Sequence, residues 1–240
     1  MKFLLTNDDG IQAEGLRRLA EMASQLGEVT IIAPDQECSA MSQRITLRDS
    51  MALKKVDYPI PNVTAYSLHG TPADCIKVAL HYLKLRPDYV FSGMNHGFNM
   101  GYDIAYSGTC SAAFEAVMNG IPAIAFSRDL GENYEVVDTY LQDMTQILLV
   151  KAPLKNGIWN VNFPSCPLEE CNGYLLDVSV GKVQFYNDHF DEVESPDSNT
   201  VILKSHGYAS DPELMPEGSD VWGLTHNYVT ISSVKCDVLN

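Results

Sequence analysis

Directly after Met1 the sequence reads Lys2-Phe3-Leu4-Leu5-Thr6-Asn7-Asp8-Asp9-Gly10. Its first residues form a short, nearly continuous apolar run, which is typical of a parallel strand covered on both faces. The four residues that follow all favour turns, and two of them are adjacent carboxylates. We therefore predict a buried first strand over Lys2–Thr6 that places Asp8 and Asp9 at one edge of a sheet.

Strand and helix patterns alternate after this start. A helix is indicated by apolar residues at helical spacing that end at a glycine, namely Leu16, Leu19, Ala20, Ala23, Leu26 and Gly27. Further buried strands are predicted at Val29–Ala33, Tyr89–Phe91 and Ala123–Phe126, and helices after the cap residue Thr71 and over Ser107–Asn119. This βαβα rhythm predicts an α/β fold with a doubly wound, mostly parallel sheet and helices on both faces.

The pattern weakens beyond about residue 130. A helix at roughly Tyr134–Val150 and a strand at Trp159–Val161 are expected to complete the sheet. The acidic segment Asn187–Asn199 has the composition of an exposed loop or hairpin tip, and Tyr228–Ile231 alternates like a strand.

The overall composition restricts the class of protein. The 240 residues are 45% hydrophobic and 20% charged, the balance of a globular domain. Sixteen basic against 31 acidic residues give a formal charge of −15, which repels duplex DNA and long RNA. No apolar run reaches the length of a membrane span, and the start is too short for a signal peptide, so we expect a cytoplasmic protein.

The cysteines are expected to be reduced. The six lack a CxxC pair and lie too far apart for a disulfide framework. A Cys166–Cys171 pair, as a disulfide or as metal ligands, is the minor alternative. A nucleophilic Cys38 or Cys110 would need a paired base and a depressed pKa, for which the sequence has no sign.

Polar oxygen-bearing side chains follow three of the predicted strands, in Asn7–Gly10, Pro34–Ser39 and Ser92–Gly97. Ligands of doubly wound sheets bind beyond the carboxyl ends of the strands, so these segments are expected to converge. Asp8, Asp9, Ser39 and Asn95 would then form an oxygen-only ligand set, suited to magnesium, manganese or calcium and poor for zinc. Taken singly, each of these residues is more often explained by a turn or a cap.

A phosphate site is suggested by two neighbouring segments. The stretch from Ser92 to Gly101 is rich in glycine and asparagine but matches neither GxGxxG nor the GxxxxGK[ST] loop. Ser107-Gly108-Thr109 opens a helix whose amides and positive dipole end suit an anion, although an ordinary serine cap explains it equally well. His96 is a candidate proton donor, but a lone loop histidine is more often structural.

Taken together, these segments resemble the SurE family of survival proteins. The matching pieces, in the family's order over nearly the whole chain, are Leu5–Gly10, Ala33–Asp35 with Ser39, Gly70–Cys75, Ser92–Asn99, Ser107–Thr109, Gly120–Ala125 and Asn160–Pro164. The loop Cys38-Ser39-Ala40 and the tail Asn227–Val234 depart modestly from the family's pattern.

The resemblance implies a Rossmann-like core in a single SurE-like α/β domain over 1–240, with the core at about 1–165 and a C-terminal extension at about 166–240. It implies a metal-dependent phosphatase with one divalent ion per subunit, held by Asp8, Asp9, Ser39 and Asn95. The implied activity is that of a 5′-nucleotidase, with 3′-nucleotides and short polyphosphate as further substrates. The implied assembly is a homodimer or homotetramer in which the extension, as a β-hairpin, reaches a neighbouring subunit.

A mechanism can be stated as a hypothesis. Asp8 and Asp9 are the catalytic candidates, with Asp9 favoured to orient or deprotonate the attacking water. Asn95, Ser107, Gly108 and Thr109 are the candidates for holding the phosphate. Two alternatives stay open: an aspartyl-phosphate intermediate on Asp8, and a nucleotide-binding regulatory module that releases no phosphate.

Overall fold

The computed structural model describes residues 1–236, so the last four residues of the predicted extension lie outside it. Its helices and strands are β1 (Lys2–Thr6), α1 (Glu14–Leu26), β2 (Glu28–Pro34), β3 (Leu53–Val56), β4 (Thr64–Leu68), α2 (Pro72–Lys77), β5 (Tyr89–His96), α3 (Gly108–Met118), β6 (Ala123–Arg128), α4 (Glu135–Val150), β7 (Gly157–Phe163), β8 (Tyr174–Val178), β9 (Tyr186–Asp197), β10 (Thr200–Ala209), α5 (Asp220–Thr225) and β11 (Val229–Lys235). Short 3₁₀ turns and one π-helical turn, Val78–Tyr82, connect them.

Nine strands form one sheet in the order β3-β4-β2-β1-β5-β6-β7-β11-β8. The strands from β4 to β7 in this order are all parallel to their neighbours. Antiparallel pairing joins β3 to β4 and β11 to β7. The order reverses direction at β1, so the predicted doubly wound sheet is confirmed, and its carboxyl edge at β1 and β5 is the expected ligand position.

Alternate residues of each strand pack into different hydrophobic layers. Phe3 and Leu5 of β1 pack in the layer formed with α1 and α4, whereas Leu4 packs in the layer with α2 and α3. The same alternation continues past the end of β1, because successive side chains of extended backbone point to opposite faces. Asp8 therefore lies on the α3 side of the sheet edge and Asp9 on the α1 side.

The helix start predicted at Thr71 has the expected cap. The Thr71 hydroxyl accepts from Asp74 N at 3.2 Å, and the Asp74 carboxylate accepts from Thr71 N at 3.0 Å. This reciprocal capping box satisfies two amides that have no partner inside the helix. Predicted strands and helices elsewhere are found within a few residues of their expected bounds.

Three parts of the structure differ from the expectation. Strand β5 continues through Ser92–His96, which has the composition of a loop, because Ser92, Asn95 and His96 pair with β6. The acidic segment Asn187–Asn199 forms β9 and the turn of a long two-stranded hairpin with β10, so it is mostly strand. Strands β3, β4 and β8 gave no clear sequence pattern: β3 and β8 are short, half-exposed edge strands, and β4, next to the edge, is only partly buried.

Among residues 1–236, none of the helices has the length and apolar composition that a membrane span requires.

Candidate functional site

The structure brings the predicted site residues to one end of the sheet. Asp8 follows β1, Ser39 follows β2, and Asn95 lies near the end of β5. Together with Ser107 they border a cavity of about 440 Å³ on the α3 side. This is a small-molecule-sized cleft at the carboxyl edge of a doubly wound sheet.

Asp8 is held against the N-terminus of α3. Its side chain is 3% exposed; Oδ1 accepts from the Thr109 hydroxyl at 2.5 Å and Oδ2 accepts from Thr109 N at 3.2 Å. A Cβ at Gly108 would lie 2.9 Å from Asp8 Oδ2, so glycine is what lets the helix approach this closely. The helix dipole and these two donors stabilise the charged form of Asp8.

Asp9 lies on the other face of the same edge. Its Oδ2 accepts from His96 N at 3.0 Å. A second cavity, of about 570 Å³, is bordered by Asp9, His96, Arg128 and Tyr134. His96 borders both cavities, while its Nε2 donates to Leu130 O at 2.8 Å.

Both carboxylates resist ionisation in the absence of a cation. Burial raises the pKa of Asp8 from its usual 3.8 to about 6; the Thr109 hydroxyl opposes this rise and the charge of Asp9 adds to it. Burial also raises the pKa of Asp9. Within residues 1–236 neither carboxylate forms a salt bridge with a lysine or an arginine. Two adjacent acids, one buried and one partly exposed, without a paired cation are a place where a metal ion fits.

The neutral side chains of Asn95 and Ser39 keep oxygen atoms available for a cation. Asn95 Nδ2 donates to Gly97 O at 2.8 Å, which leaves Oδ1 as the atom for a ligand. Ser39 donates its hydroxyl proton to Glu37 Oε1 at 2.7 Å and keeps its lone pairs. In the described part of the chain, no three His, Cys, Asp or Glu side chains form a metal cluster, so a cation here would need these neutral oxygens. The oxygen-only set fits a hard divalent ion.

The residues predicted to hold phosphate divide into two kinds. Thr109 uses its hydroxyl and its amide on Asp8, so here it positions a carboxylate. Ser107 accepts from Cys110 N at 3.0 Å and is the N-cap of α3. The Gly108 amide, at the first helical position, has no acceptor within the helix and is the donor left for an anion.

Comparison with known proteins places this site in a family. A family model described as "Survival protein SurE" matches residues 3–184. The chain belongs to the SurE family. The resemblance seen in the motifs is therefore confirmed, and it covers both the metal-ligand candidates and the start of α3.

Individual SurE relatives match nearly the whole of this chain and more than nine-tenths of their own length. A protein named 5′-nucleotidase SurE from Clostridium botulinum (strain 657 / Type Ba4) is 42% identical over 248 residues, covering 100% of this chain and 95% of the relative. One of the same name from Flavobacterium psychrophilum is 34% identical, covering 98% and 91%. The crystal structure of SurE protein from Aquifex aeolicus superposes with a TM-score of 0.81 at 31% identity, covering 98% of this chain and 93% of that one.

Sequence patterns did not reveal the aromatic wall of this SurE site. Phe98, Tyr106 and Tyr186 border the cavity beside Asp8, together with Gln184 and Asp188 from the base of the β9–β10 hairpin. Phe98 lay inside the quoted stretch Ser92–Gly101 and Tyr106 directly before Ser107-Gly108-Thr109, but neither was singled out. Arg128 was also not predicted as a site residue, although a charged residue directly after the predicted strand Ala123–Phe126 could have indicated it.

Three of the six cysteines are buried and three are partly buried. All six are free, including Cys166 and Cys171, so the minor alternative of a disulfide is wrong. Burial raises the pKa of Cys110 to about 12 and also raises the pKa of Cys38. Thiols this difficult to ionise are poor nucleophiles.

Proposed function

We propose that this SurE protein is a metal-dependent phosphatase that hydrolyses nucleoside 5′-monophosphates to nucleosides and inorganic phosphate. The observation that carries the proposal is the buried carboxylate of Asp8, which lies beside a helix N-terminus and an aromatic cavity and is followed directly by the carboxylate of Asp9. The relatives named 5′-nucleotidase SurE support the same reaction class.

The proposed ligands of one divalent ion per subunit are Asp8, Asp9, Ser39 and Asn95. Magnesium or manganese suits this set in solution, and calcium can replace them in crystals. When bound, the ion supplies Lewis acidity toward a phosphoryl oxygen and the attacking water.

The chain's own groups orient and activate the reactants. The free Gly108 amide, with Ser107 and Asn95 beside it, holds the phosphate oxygens as negative charge develops. Asp9 is fixed through Oδ2 by His96 N, so Oδ1 is placed to accept a proton from the attacking water. The water oxygen forms the new P–O bond, and the P–O bond to the nucleoside breaks with its electron pair on the leaving oxygen.

The aromatic cavity provides for the nucleoside. Phe98, Tyr106 and Tyr186 offer ring faces on which a base or ribose can pack. Tyr186 is far in sequence from Tyr106, but the base of the β9–β10 hairpin packs against the 3₁₀ turn Gly101–Tyr106. There Asp103 accepts from Phe185 N and Tyr186 N at 3.1 Å.

The proposal is tested by phosphate release from a panel of nucleoside 5′- and 3′-monophosphates, with magnesium, manganese or chelator. We expect release from 5′-monophosphates that chelator abolishes and added metal restores. Metal-dependent nucleotide binding by folded protein without any release would support the regulatory-module alternative instead.

The chain is proposed to act as one SurE-like unit that assembles as a homodimer or homotetramer. Strands β8 and β11, from the part beyond residue 165, join the main sheet, whereas the β9–β10 hairpin projects with exposed apolar side chains such as Phe190, Ile202 and Leu203. Exposed apolar patches of this kind mark association surfaces. Deleting residues 188–207 is expected to lower the number of subunits per particle, obtained by dividing the molar mass from light scattering by the mass of the shortened chain. An unchanged number of subunits would exclude the hairpin as the contact.

A further inference from the structure

The cavity beside Asp8 has two ends of different chemistry. The candidate metal ligands and the start of α3 lie at one end, and the base of the β9–β10 hairpin lies at the other. Gln184, Tyr186 and Asp188, at alternate positions leading into and along β9, all border the cavity. Successive side chains of a strand point to opposite faces, so the side chain of Asp188 lies on the same face as that of Tyr186, toward the cavity.

The aromatic wall next to Asp188 is held at both ends. The backbone N–H of Tyr186 donates to Asp103 at 3.1 Å, and the Tyr186 hydroxyl forms a hydrogen bond with the backbone of Phe98. Phe98 and Tyr106 border the same cavity. In the proposed function the phosphate lies at the metal end, so the base of a nucleotide lies on these rings with a polar edge toward the hairpin base.

The free polar atoms at the hairpin end are hydrogen-bond acceptors. Asp188 is exposed, and within residues 1–236 its carboxylate has no hydrogen bond and no salt bridge. Gln184 donates through Nε2 to Tyr186 O at 2.7 Å, which leaves its Oε1 as the free atom. Burial raises the pKa of Asp103, and the nearby charge of Asp188 adds to the rise. No lysine or arginine of the described chain borders this cavity, so its hairpin end favours a ligand edge made of N–H groups.

Guanine is the nucleobase that matches such an end. Its N1–H and N2–H groups lie side by side and can donate to the two oxygens of one carboxylate. The corresponding edge of adenine has its amino group beside N1, an acceptor that a carboxylate repels. Hypoxanthine keeps N1–H but lacks the amino group, so it can form one of the two bonds.

We propose that Asp188 makes this site selective for guanine nucleotides, its carboxylate accepting from both N1–H and N2–H of GMP. This inference rests on the proposed phosphatase function. Tyr106 and Tyr186 supply the surface on which the ring packs, and Asp188 supplies the selectivity among bases.

The first test compares kcat/KM for GMP, IMP and AMP. In the wild type we expect a GMP-to-AMP ratio of about ten or more, with IMP between them, and Asp188→Asn should bring the ratio close to one. Asp191→Asn is the matched control, because Asp191 lies on the opposite face of β9 and its carboxylate contacts His189 and His206. It should leave the ratio unchanged. A GMP-to-AMP ratio that folded Asp188→Asn protein retains would overturn the proposal.

A reversal of base preference tests the hydrogen-bond pattern more sharply than a loss. Xanthine keeps the N1–H of guanine but has a carbonyl oxygen in place of the amino group. An asparagine side chain can accept from N1–H through its oxygen and donate to that carbonyl through its nitrogen. Asp188→Asn is therefore expected to raise the XMP-to-GMP ratio of kcat/KM about tenfold or more. No rise in this ratio would show that Asp188 does not contact the base edge.

Binding of stable analogues separates this inference from the proposed function. The probes are phosphonates of guanosine and adenosine, in which CH₂ replaces the bridging oxygen and the P–C bond resists hydrolysis. Calorimetry in magnesium is expected to show about tenfold tighter binding of the guanosine probe, a difference that Asp188→Asn abolishes. Such selective binding without phosphate release from any nucleotide would retain the inference and reject the phosphatase function. Phosphate release from GMP and AMP with equal binding of the two probes would do the reverse.

Discussion

Replacing Asp8 by asparagine is expected to lower the turnover of nucleoside monophosphates by about a thousandfold while the fold persists. The substitution removes one of two carboxylates from the proposed cation site, and neither Ser39 nor Asn95 supplies charge. An asparagine can still bond to Thr109, because its amide can accept from the backbone N–H and donate to the hydroxyl. Phosphate release at saturating magnesium measures the effect, and near-normal turnover would contradict the assignment of Asp8.

The same variant is expected to be more stable than wild type in chelator near pH 7. The pKa of Asp8 rises from 3.8 to about 6 on folding, so the folded chain holds this proton more tightly than the unfolded chain. The protonated Asp8 side chain therefore contributes to the free energy of unfolding below about pH 4. This contribution, about 3 kcal/mol, is lost as the pH rises to about 6. Asp8→Asn should remove that pH dependence from chemical denaturation curves.

A matched control is the buried Asp220, which accepts from Gly181 N at 2.7 Å, Val221 N at 2.8 Å and Gly101 N at 3.1 Å. Asp220→Asn is expected to lower the denaturation midpoint with or without metal, because an amide cannot accept from all three donors. An Asp8→Asn protein that behaved like Asp220→Asn would show that Asp8 is structural.

Replacing Gly93 by alanine is expected to destabilise the protein by more than about 3 kcal/mol. Gly93 lies inside β5 with φ of +135°, a conformation that residues with a side chain rarely adopt. An added Cβ would lie 2.2 Å from the backbone oxygen of Phe126 in β6, which cannot move without breaking the sheet. Asn95 is two residues away, so the change should also displace the candidate ligand. Denaturant unfolding measures the loss.

Gly120→Ala separates the steric clash from the backbone strain. Gly120 also has a positive φ, +78°, but nothing lies within 4 Å of a Cβ there. The expected cost is about 1 kcal/mol, that of the left-handed conformation alone. If Gly93→Ala cost no more than Gly120→Ala, the close packing of β5 against β6 would not be what fixes this part of the site.

Much of the site was predictable because it depends on local patterns. At Lys2–Gly10, an apolar run followed by turn residues indicates a buried strand and also which polar side chains lie at its carboxyl end. The parallel arrangement then places Asp8, Ser39 and Asn95 at one edge without further information. The cap at Thr71 followed from the chemistry of helix starts in the same way.

The remaining features depend on contacts between distant segments. Ser92–His96 has the composition of a loop and becomes strand because β6 pairs with it. Tyr186 lies at the site because its backbone N–H, at the base of the hairpin, donates to Asp103. Whether a charge such as Arg128 has hydrogen-bond partners depends on what surrounds it in three dimensions.

The most direct test of the central claim is to locate manganese by anomalous scattering in crystals grown with manganese and AMP. We predict one strong peak per chain, contacted by side-chain oxygens of Asp8, Asp9, Ser39 and Asn95, with phosphate or nucleotide density toward Gly108. A fully occupied manganese elsewhere, with these four side chains free of metal, would contradict the account.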